Sequence, residues 1–137
     1  KNIVYEGSRL AKVNEATISK IRSSDLVIIG PSNPLLSIGP ILSLSKLKKE
    51  LISHKNVIII SPFIAKDAIK GPSKKNFEDM GFSPDIGGIK KYYKNIGNKY
   101  IVHFGESDNK MNTVEENILF KKIKDSESLA RKILNYE

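Results

Sequence analysis

The 137-residue sequence contains no cysteine and no long apolar run. Without cysteine the chain can form neither a disulfide framework nor a thiolate metal site. Its longest apolar runs, such as residues 26–29 and 57–60, are far shorter than the roughly 20 residues that span a bilayer. The first residues also lack the basic, then apolar, pattern of a secretion signal. We therefore expect no transmembrane helix, no membrane partner and a cytoplasmic location.

The sequence carries a formal net charge of +8. Such an excess can serve polyanions, including nucleic acid, or small anionic substrates. The basic clusters at residues 46–49, 74–75 and 90–91 fall in separate segments, which favours scattered surface charge. No nucleic-acid-binding motif accompanies the charge, so we do not expect nucleic acid to be a partner.

Helical and strand-like patterns alternate along the first half of the chain. Asn14 is the predicted cap of a helix that ends near Ser24, and helical spacing of apolar residues predicts a second helix at residues 44–53. Strands are predicted at residues 25–29 and 57–60. Their β-branched runs show no alternation, which is typical of parallel strands buried on both faces.

The second half continues this alternation. It predicts helices at residues 73–81, 83–93 and 126–135, and strands at residues 100–103 and 117–120. Ser73 and Asp125 are the predicted caps of the first and last of these helices. The pattern predicts an α/β fold in which helices cover both faces of a mostly parallel sheet.

The first candidate site is the loop at residues 30–40 (GPSNPLLSIGP), which follows the first predicted strand. Its glycines would let the backbone approach a ligand, its prolines would stiffen it, and a helix start capped by Ser37 would attract phosphate. We interpret this first loop as a rigid anion cradle. The alternative is a tight connection in which Ser32 and Asn33 only cap turns.

The second candidate is the loop from Ser61 to Ser73, where Lys70 offers a cation beside the turn-forming Gly71. A phosphate or carboxylate could bind there, although a lysine before a glycine is often a solvated surface residue. Neither loop contains the Gly-x-x-x-x-Gly-Lys-Ser or Gly-x-Gly-x-x-Gly fingerprint, which argues against a P-loop or a dinucleotide site.

Other polar residues are weaker candidates for a metal-binding or catalytic role. Glu106 and Asp108 follow the third predicted strand and could help hold Mg²⁺, but a polar surface loop explains them with fewer assumptions. His54 and His103 stand alone, without a second ligand at metal-site spacing. We therefore assign no metal ligand and no catalytic residue from the sequence.

The two loops resemble those of a known family. Residues 25–34 (DLVIIGPSNP) and 37–42 (SIGPIL) resemble the signature loop of the 2-phospho-L-lactate transferases. Residues 60–63 (ISPF) and 68–72 (AIKGP) are similar to a second family motif, while residues 63–66 depart from it. The resemblance covers residues 1–137 as the C-terminal portion of a single transferase domain whose N-terminal portion is absent from this chain.

This resemblance implies a Rossmann-like enzyme of coenzyme F(420) biosynthesis. Such an enzyme moves a phospholactyl or enolpyruvyl-phosphate group from a guanylylated, GTP-derived donor to the deazaflavin 7,8-didemethyl-8-hydroxy-5-deazariboflavin and releases GMP. It implies Mg²⁺ as cofactor, with its principal ligand in the N-terminal portion, and it is compatible with a homodimer. Without that portion we expect the chain to be inactive. The substrate-binding residues it implies are Pro31, Ser32, Asn33, Pro34, Ser37, Ile38, Gly39, Lys70 and Gly71.

A second hypothesis is a non-catalytic regulator that binds a nucleotide or a sugar nucleotide. The related gluconeogenesis factors also have a Gly-Pro loop followed by Ser-Ile and proline. The Asn33-Pro34 step in this sequence favours the transferase.

Overall fold

A computed structural model describes residues 3–65, 67–68 and 73–136 of the chain. The strands are β1 (Val27–Ile29), β2 (Val57–Ile60), β3 (Phe63–Ile64), β4 (Asp67–Ala68), β5 (Lys99–Val102) and β6 (Thr113–Glu115). The helices are α1 (Glu15–Ser23), a π-helix (Pro34–Ile38), α2 (Gly39–Leu42), α3 (Ser45–Ser53), α4 (Ser73–Asp79), α5 (Ile86–Tyr93) and α6 (Ile123–Ile133).

Four strands form one parallel sheet in the order β1-β2-β5-β6. Ile28 on β1 pairs in register with Ile58 on β2, and Ile59 on β2 pairs with Tyr100 on β5. β3 and β4 form a separate antiparallel hairpin directly after β2, which the sequence pattern does not predict. The predicted parallel sheet is confirmed.

The larger core lies between one face of the sheet and the helices α1, α3, α4 and α5. Ile59 and Tyr100 project into it from the sheet, and Ile18, Leu51 and Phe77 enter it from α1, α3 and α4. Burying such side chains contributes roughly 1.5–3 kcal/mol each, so this core supplies a large share of the favourable free energy of folding.

The smaller core covers the opposite face. Ile58, Ile60 and Ile101 of the sheet pack there with Leu129 and Ile133 of α6. Because alternate residues of β2 enter opposite cores, the unbroken apolar run at Val57–Ile60 is buried on both sides. Helices therefore cover both faces, as expected, and the fold is of the α/β, Rossmann-like class.

Two predictions near the C-terminal end are wrong: the position of the fourth strand and the start of the last helix. The fourth strand is Thr113–Glu115 rather than residues 117–120, because the Asn117 side chain accepts the Leu119 N–H in a local turn and only Ile118 enters the smaller core.

The last helix begins at Ile123, ahead of Asp125. The Asp125 carboxylate still serves the start of this helix, since it accepts the N–H groups of Lys121 and Lys122. The predicted cap is therefore functional, but from inside the first turn.

Within the part of the chain that the structure describes, no helix is long and apolar enough to span a bilayer.

Candidate functional site

The candidate loops meet at one edge of the sheet. β1, β2 and β5 run parallel, so the segments that follow them emerge at the same edge, here called the carboxyl edge. Ligands in open α/β sheets bind at such an edge. The first loop (residues 30–40) follows β1, Ser61 follows β2, and the segment at residues 103–110, here called the cavity loop, follows β5.

Asn33 caps the helix in the first loop. Its Oδ1 accepts the N–H groups of Leu35 and Leu36, both at 3.0 Å, and its carbonyl oxygen accepts those of Ser37 and Ile38 at 3.0 and 3.1 Å. The expectation that Ser37 caps this helix is wrong, because Pro34 starts the helix earlier in the chain. The N–H groups that a phosphate would need are therefore already engaged.

Two tyrosines fasten the same loop to the rest of the molecule. Tyr5 Oη donates to the Leu35 carbonyl at 2.6 Å, and Tyr92 Oη donates to the Pro34 carbonyl at 2.8 Å. A Cβ on Gly39 would lie 1.9 Å from Tyr5 Oη, so glycine is required for this approach. Burial, together with the Tyr5 hydroxyl, raises the pKa of Tyr92 above its ordinary value, so the Tyr92 hydroxyl remains a donor near neutral pH.

The substrate-binding residues that the resemblance implies differ in their exposure to solvent. Ser37 is exposed, whereas Pro34 and Gly39 are buried. The half-buried residues of this set are Pro31, Ser32, Asn33 and Ile38. Lys70 and Gly71 lie outside the described residues. The hydroxyl groups of Ser32 and Ser37 and the Nδ2 of Asn33 are thus side-chain polar groups that the described part of this set can offer a ligand.

A cavity of about 840 Å³ opens at the carboxyl edge. Ser61, directly after β2, and Phe63 of β3 form one wall. The start of α5 at Asp85 and Gly87 forms a second wall, and the cavity loop forms a third. Asp85 is not among the residues that the sequence pattern assigns to a site. A helix between two parallel strands begins at the carboxyl edge, and that rule would have placed Asp85 there.

Most of the charged residues in the described lining of this cavity are acidic. Asp85 accepts the N–H of Gly88, and Glu106 accepts that of Ala65. Asp108 accepts the N–H of Lys110 at 2.8 Å. Among the described residues of the lining, Lys110 is the one basic side chain, against the three carboxylates of Asp85, Glu106 and Asp108. The cavity therefore has an acidic character in a chain whose net charge is +8.

The described residues do not assemble a complete cluster of metal ligands. They contain no group of three or more histidine or acidic side chains able to hold a metal ion. Each cavity carboxylate already accepts a backbone N–H, which supports the interpretation of Glu106 and Asp108 as loop-forming residues. His54 is also structural, because Nε2 lies 2.9 Å from the Ser24 carbonyl and Nδ1 accepts the Asn56 N–H.

An open parallel α/β sheet with a polar cavity at its carboxyl edge defines a Rossmann-like ligand-binding domain. The family model described as 2-phospho-L-lactate transferase CofD matches residues 1–133, and the chain belongs to this family.

Individual relatives agree with the family match. The chain is 45% identical over 95 residues to a 2-phospho-L-lactate transferase of Methanocaldococcus jannaschii, and the matched region covers 69% of the chain and 30% of the relative. It is 36% identical over 140 residues to the 2-phospho-L-lactate transferase of Methanococcus vannielii, with 98% of the chain and 44% of the relative covered. For the Methanopyrus kandleri relative the identity is 34% over 140 residues, with 98% and 45% covered. The chain thus spans less than half the length of these relatives.

Proposed function

We propose that this chain carries the acceptor cavity and part of the donor site of a 2-phospho-L-lactate transferase. In the complete protein, a phospholactyl or enolpyruvyl-phosphate group passes from a guanylylated donor to the deazaflavin 7,8-didemethyl-8-hydroxy-5-deazariboflavin, and GMP leaves. The match of the family model to residues 1–133 carries this proposal. The cavity at the carboxyl edge supports it, because it lies where such folds bind their ligands.

The charge of the described lining is our reason for assigning the acceptor, and not the donor, to this cavity. The carboxylates of Asp85, Glu106 and Asp108 would repel a phosphate, but their oxygens accept hydrogen bonds from hydroxyl groups. The deazaflavin carries a ribityl chain rich in hydroxyls and no phosphate. A volume of about 840 Å³ is in the range of small-molecule sites. We therefore place the acceptor in this cavity.

The donor is placed on the first loop. Ser32 and Ser37 offer hydroxyl groups beside a backbone that Asn33 already holds in one conformation. The resemblance implies that Lys70 and Gly71 also bind substrate near this loop, and we assign them to the donor. Transfer of a phosphorylated group depends mainly on positioning and charge neutralisation, so a preformed loop suits this role. We expect Mg²⁺ to be held by ligands outside the described residues and to supply part of that neutralisation.

Binding of the acceptor tests this assignment. Equilibrium dialysis with the deazaflavin should show saturable binding to the complete protein, and Glu106→Gln should weaken it by about tenfold, as expected for the loss of one charged hydrogen bond. Glu78→Gln, on the exposed surface of α4, is the matched control and should bind normally. Normal binding by Glu106→Gln together with an unaltered stoichiometry would exclude the cavity as the acceptor site.

A further inference from the structure

Helix α5 connects the cavity at the carboxyl edge to the first loop. Its start, at Asp85 and Gly87, forms one wall of the cavity. Near its other end, Tyr92 Oη donates a hydrogen bond to the carbonyl oxygen of Pro34, where the π-helix of the first loop begins. At about 1.5 Å of rise per residue, Asp85 and Tyr92 lie roughly 10 Å apart along the helix axis. One short, rigid helix therefore links the two places to which the substrates are assigned.

A second connection between the same two places runs through aromatic rings. Phe63 lines the cavity, and its ring centroid lies 5.3 Å from that of Phe77. The Phe77 ring in turn meets the Tyr92 ring edge-on, with the centroids 5.6 Å apart. Phe63 and Phe77 are only 1% and 0% exposed, so neither ring can move without disturbing the closely packed larger core. The position of the Tyr92 ring is thus fixed from the side of the cavity.

The Tyr92 hydroxyl passes this fixed position on to the first loop. Its bond to the Pro34 carbonyl lies next to the bond from Tyr5 to the Leu35 carbonyl. Tyr5, however, belongs to the segment before α1, whereas Tyr92 belongs to the helix that forms the cavity wall. Of these two hydroxyls, that of Tyr92 therefore relates the loop to the cavity. The contact falls on a single π-helical turn, a feature that is frequent at functional sites.

We propose that Tyr92 is a positioning residue for the transfer reaction: through the Pro34 carbonyl, its hydroxyl sets the distance between the donor on the first loop and the acceptor in the cavity. This inference rests on the proposed function, which places the two substrates. A displacement of about 1 Å between reacting groups can lower a rate by about a hundredfold. Loss of the hydroxyl should therefore slow the transfer more than it weakens binding, because each substrate keeps its own contacts.

The complete protein with Tyr92→Phe tests this role. The substitution removes the hydroxyl and keeps the ring between Phe77 and Phe82. Tyr100→Phe is the matched control, because Tyr100 also packs in the larger core and its hydroxyl also donates to a carbonyl, that of Gly97. Gly97 precedes β5, so this bond lies at the opposite end of the sheet from the two loops.

The rate is measured in single turnovers with both substrates saturating, and the dissociation constant of each substrate by equilibrium dialysis. Tyr92→Phe should lower the single-turnover rate by about tenfold and change each dissociation constant by less than about twofold. Tyr100→Phe should change none of these quantities by more than about twofold. Without substrates, amide exchange at residues 35–38 should be faster in Tyr92→Phe and unchanged in Tyr100→Phe.

Equal single-turnover rates in the two variants overturn the inference. So does a Tyr92→Phe protein that fails to fold, or one whose loss appears in a dissociation constant, because the hydroxyl would then serve stability or binding. An unaltered protein that yields no transfer product contradicts the proposed function instead. Amide exchange then still decides whether Tyr92 holds the first loop: faster exchange at residues 35–38 in Tyr92→Phe alone supports this role, and equal exchange in both variants rejects it.

Discussion

The first loop and the cavity loop lie at the same edge of the sheet but are held by different forces. Neutral groups hold the first loop: the Asn33 amide oxygen and the hydroxyls of Tyr5 and Tyr92. Carboxylates hold the cavity loop, through Glu115 on Ser107 and Glu106 on the Ala65 N–H. The first loop therefore has a fixed shape and few free donors. The cavity loop is a charged wall whose hydrogen bonds depend on the ionisation of its carboxylates.

The largest expected effect is on the wall of the cavity formed by α5. In Gly88→Ala the new Cβ would lie 1.9 Å from the Ser83 carbonyl oxygen, and backbone cannot move aside as a side chain can. We expect a loss of about 3 kcal/mol in the free energy of unfolding, measured by urea denaturation. Gly87→Ala is the control, because its nearest contact is Asp85 Oδ1 at 3.2 Å. Equal losses in both variants would contradict the account of this wall.

Gly39→Ala tests how the first loop is fastened, with a smaller effect. Its Cβ would displace the Tyr5 ring and break the hydrogen bond to the Leu35 carbonyl, so we expect a loss of about 1–2 kcal/mol. Adding Tyr5→Phe to this variant should cost little more, because that bond is already lost. Gly30→Ala has no atom within 4 Å and should be nearly neutral. Additive losses in the double variant would show that Tyr5 and Gly39 act independently.

Asn33→Ala removes the helix cap in the first loop. Two backbone N–H groups lose their acceptor, so the free energy of unfolding should fall by about 1 kcal/mol. Asn33→Asp retains an acceptor oxygen and should lose less. The measurement is thermal denaturation, paired with donor binding by the complete protein. A variant of unchanged stability would contradict the capping role seen here.

The smallest expected effect is a difference between the two loops in how their hydrogen bonds respond to pH. Hydrogen bonds from the Ser107 hydroxyl and from the N–H groups of Gly105 and Ser107 lower the pKa of Glu115 below its ordinary value. This stabilisation is fully present above the unfolded-state pKa of about 4.3 and is lost as the pH falls through the lower, folded-state value. Amide exchange of Ser107 should accelerate over that acidic window relative to Leu35, whose acceptor is neutral. Glu115→Gln should abolish the difference, and parallel behaviour of Ser107 and Leu35 in the unaltered chain would refute the distinction.

Local patterns in the sequence predict much of the fold. Val57–Ile60 is predicted to the residue, because an unbroken apolar run between polar segments has few other solutions. The cap at Asn14 is confirmed for the same local reason, since its Oδ1 accepts the Ala16 N–H. The strand expected at residues 117–120 fails because an apolar run does not reveal that only Ile118 faces the core.

The site is harder to predict because distant segments form it. Ser61, Asp85 and Glu106 are far apart in sequence, and only the parallel order of β2 and β5 brings their segments to one cavity. The first loop is recognisable from its composition, but the partners of Asn33 are not. Which N–H groups its side-chain oxygen accepts depends on the helix beginning at Pro34.

The most direct measurement is the product of the complete protein. Incubated with the deazaflavin, the guanylylated donor and Mg²⁺, it should yield the acceptor with its mass increased by the phosphorylated three-carbon acid, together with GMP in equal amount. Glu106→Gln should raise the acceptor concentration needed for half-maximal rate, and Glu78→Gln should not. A folded protein that binds both substrates and yields no such adduct would contradict the assignment.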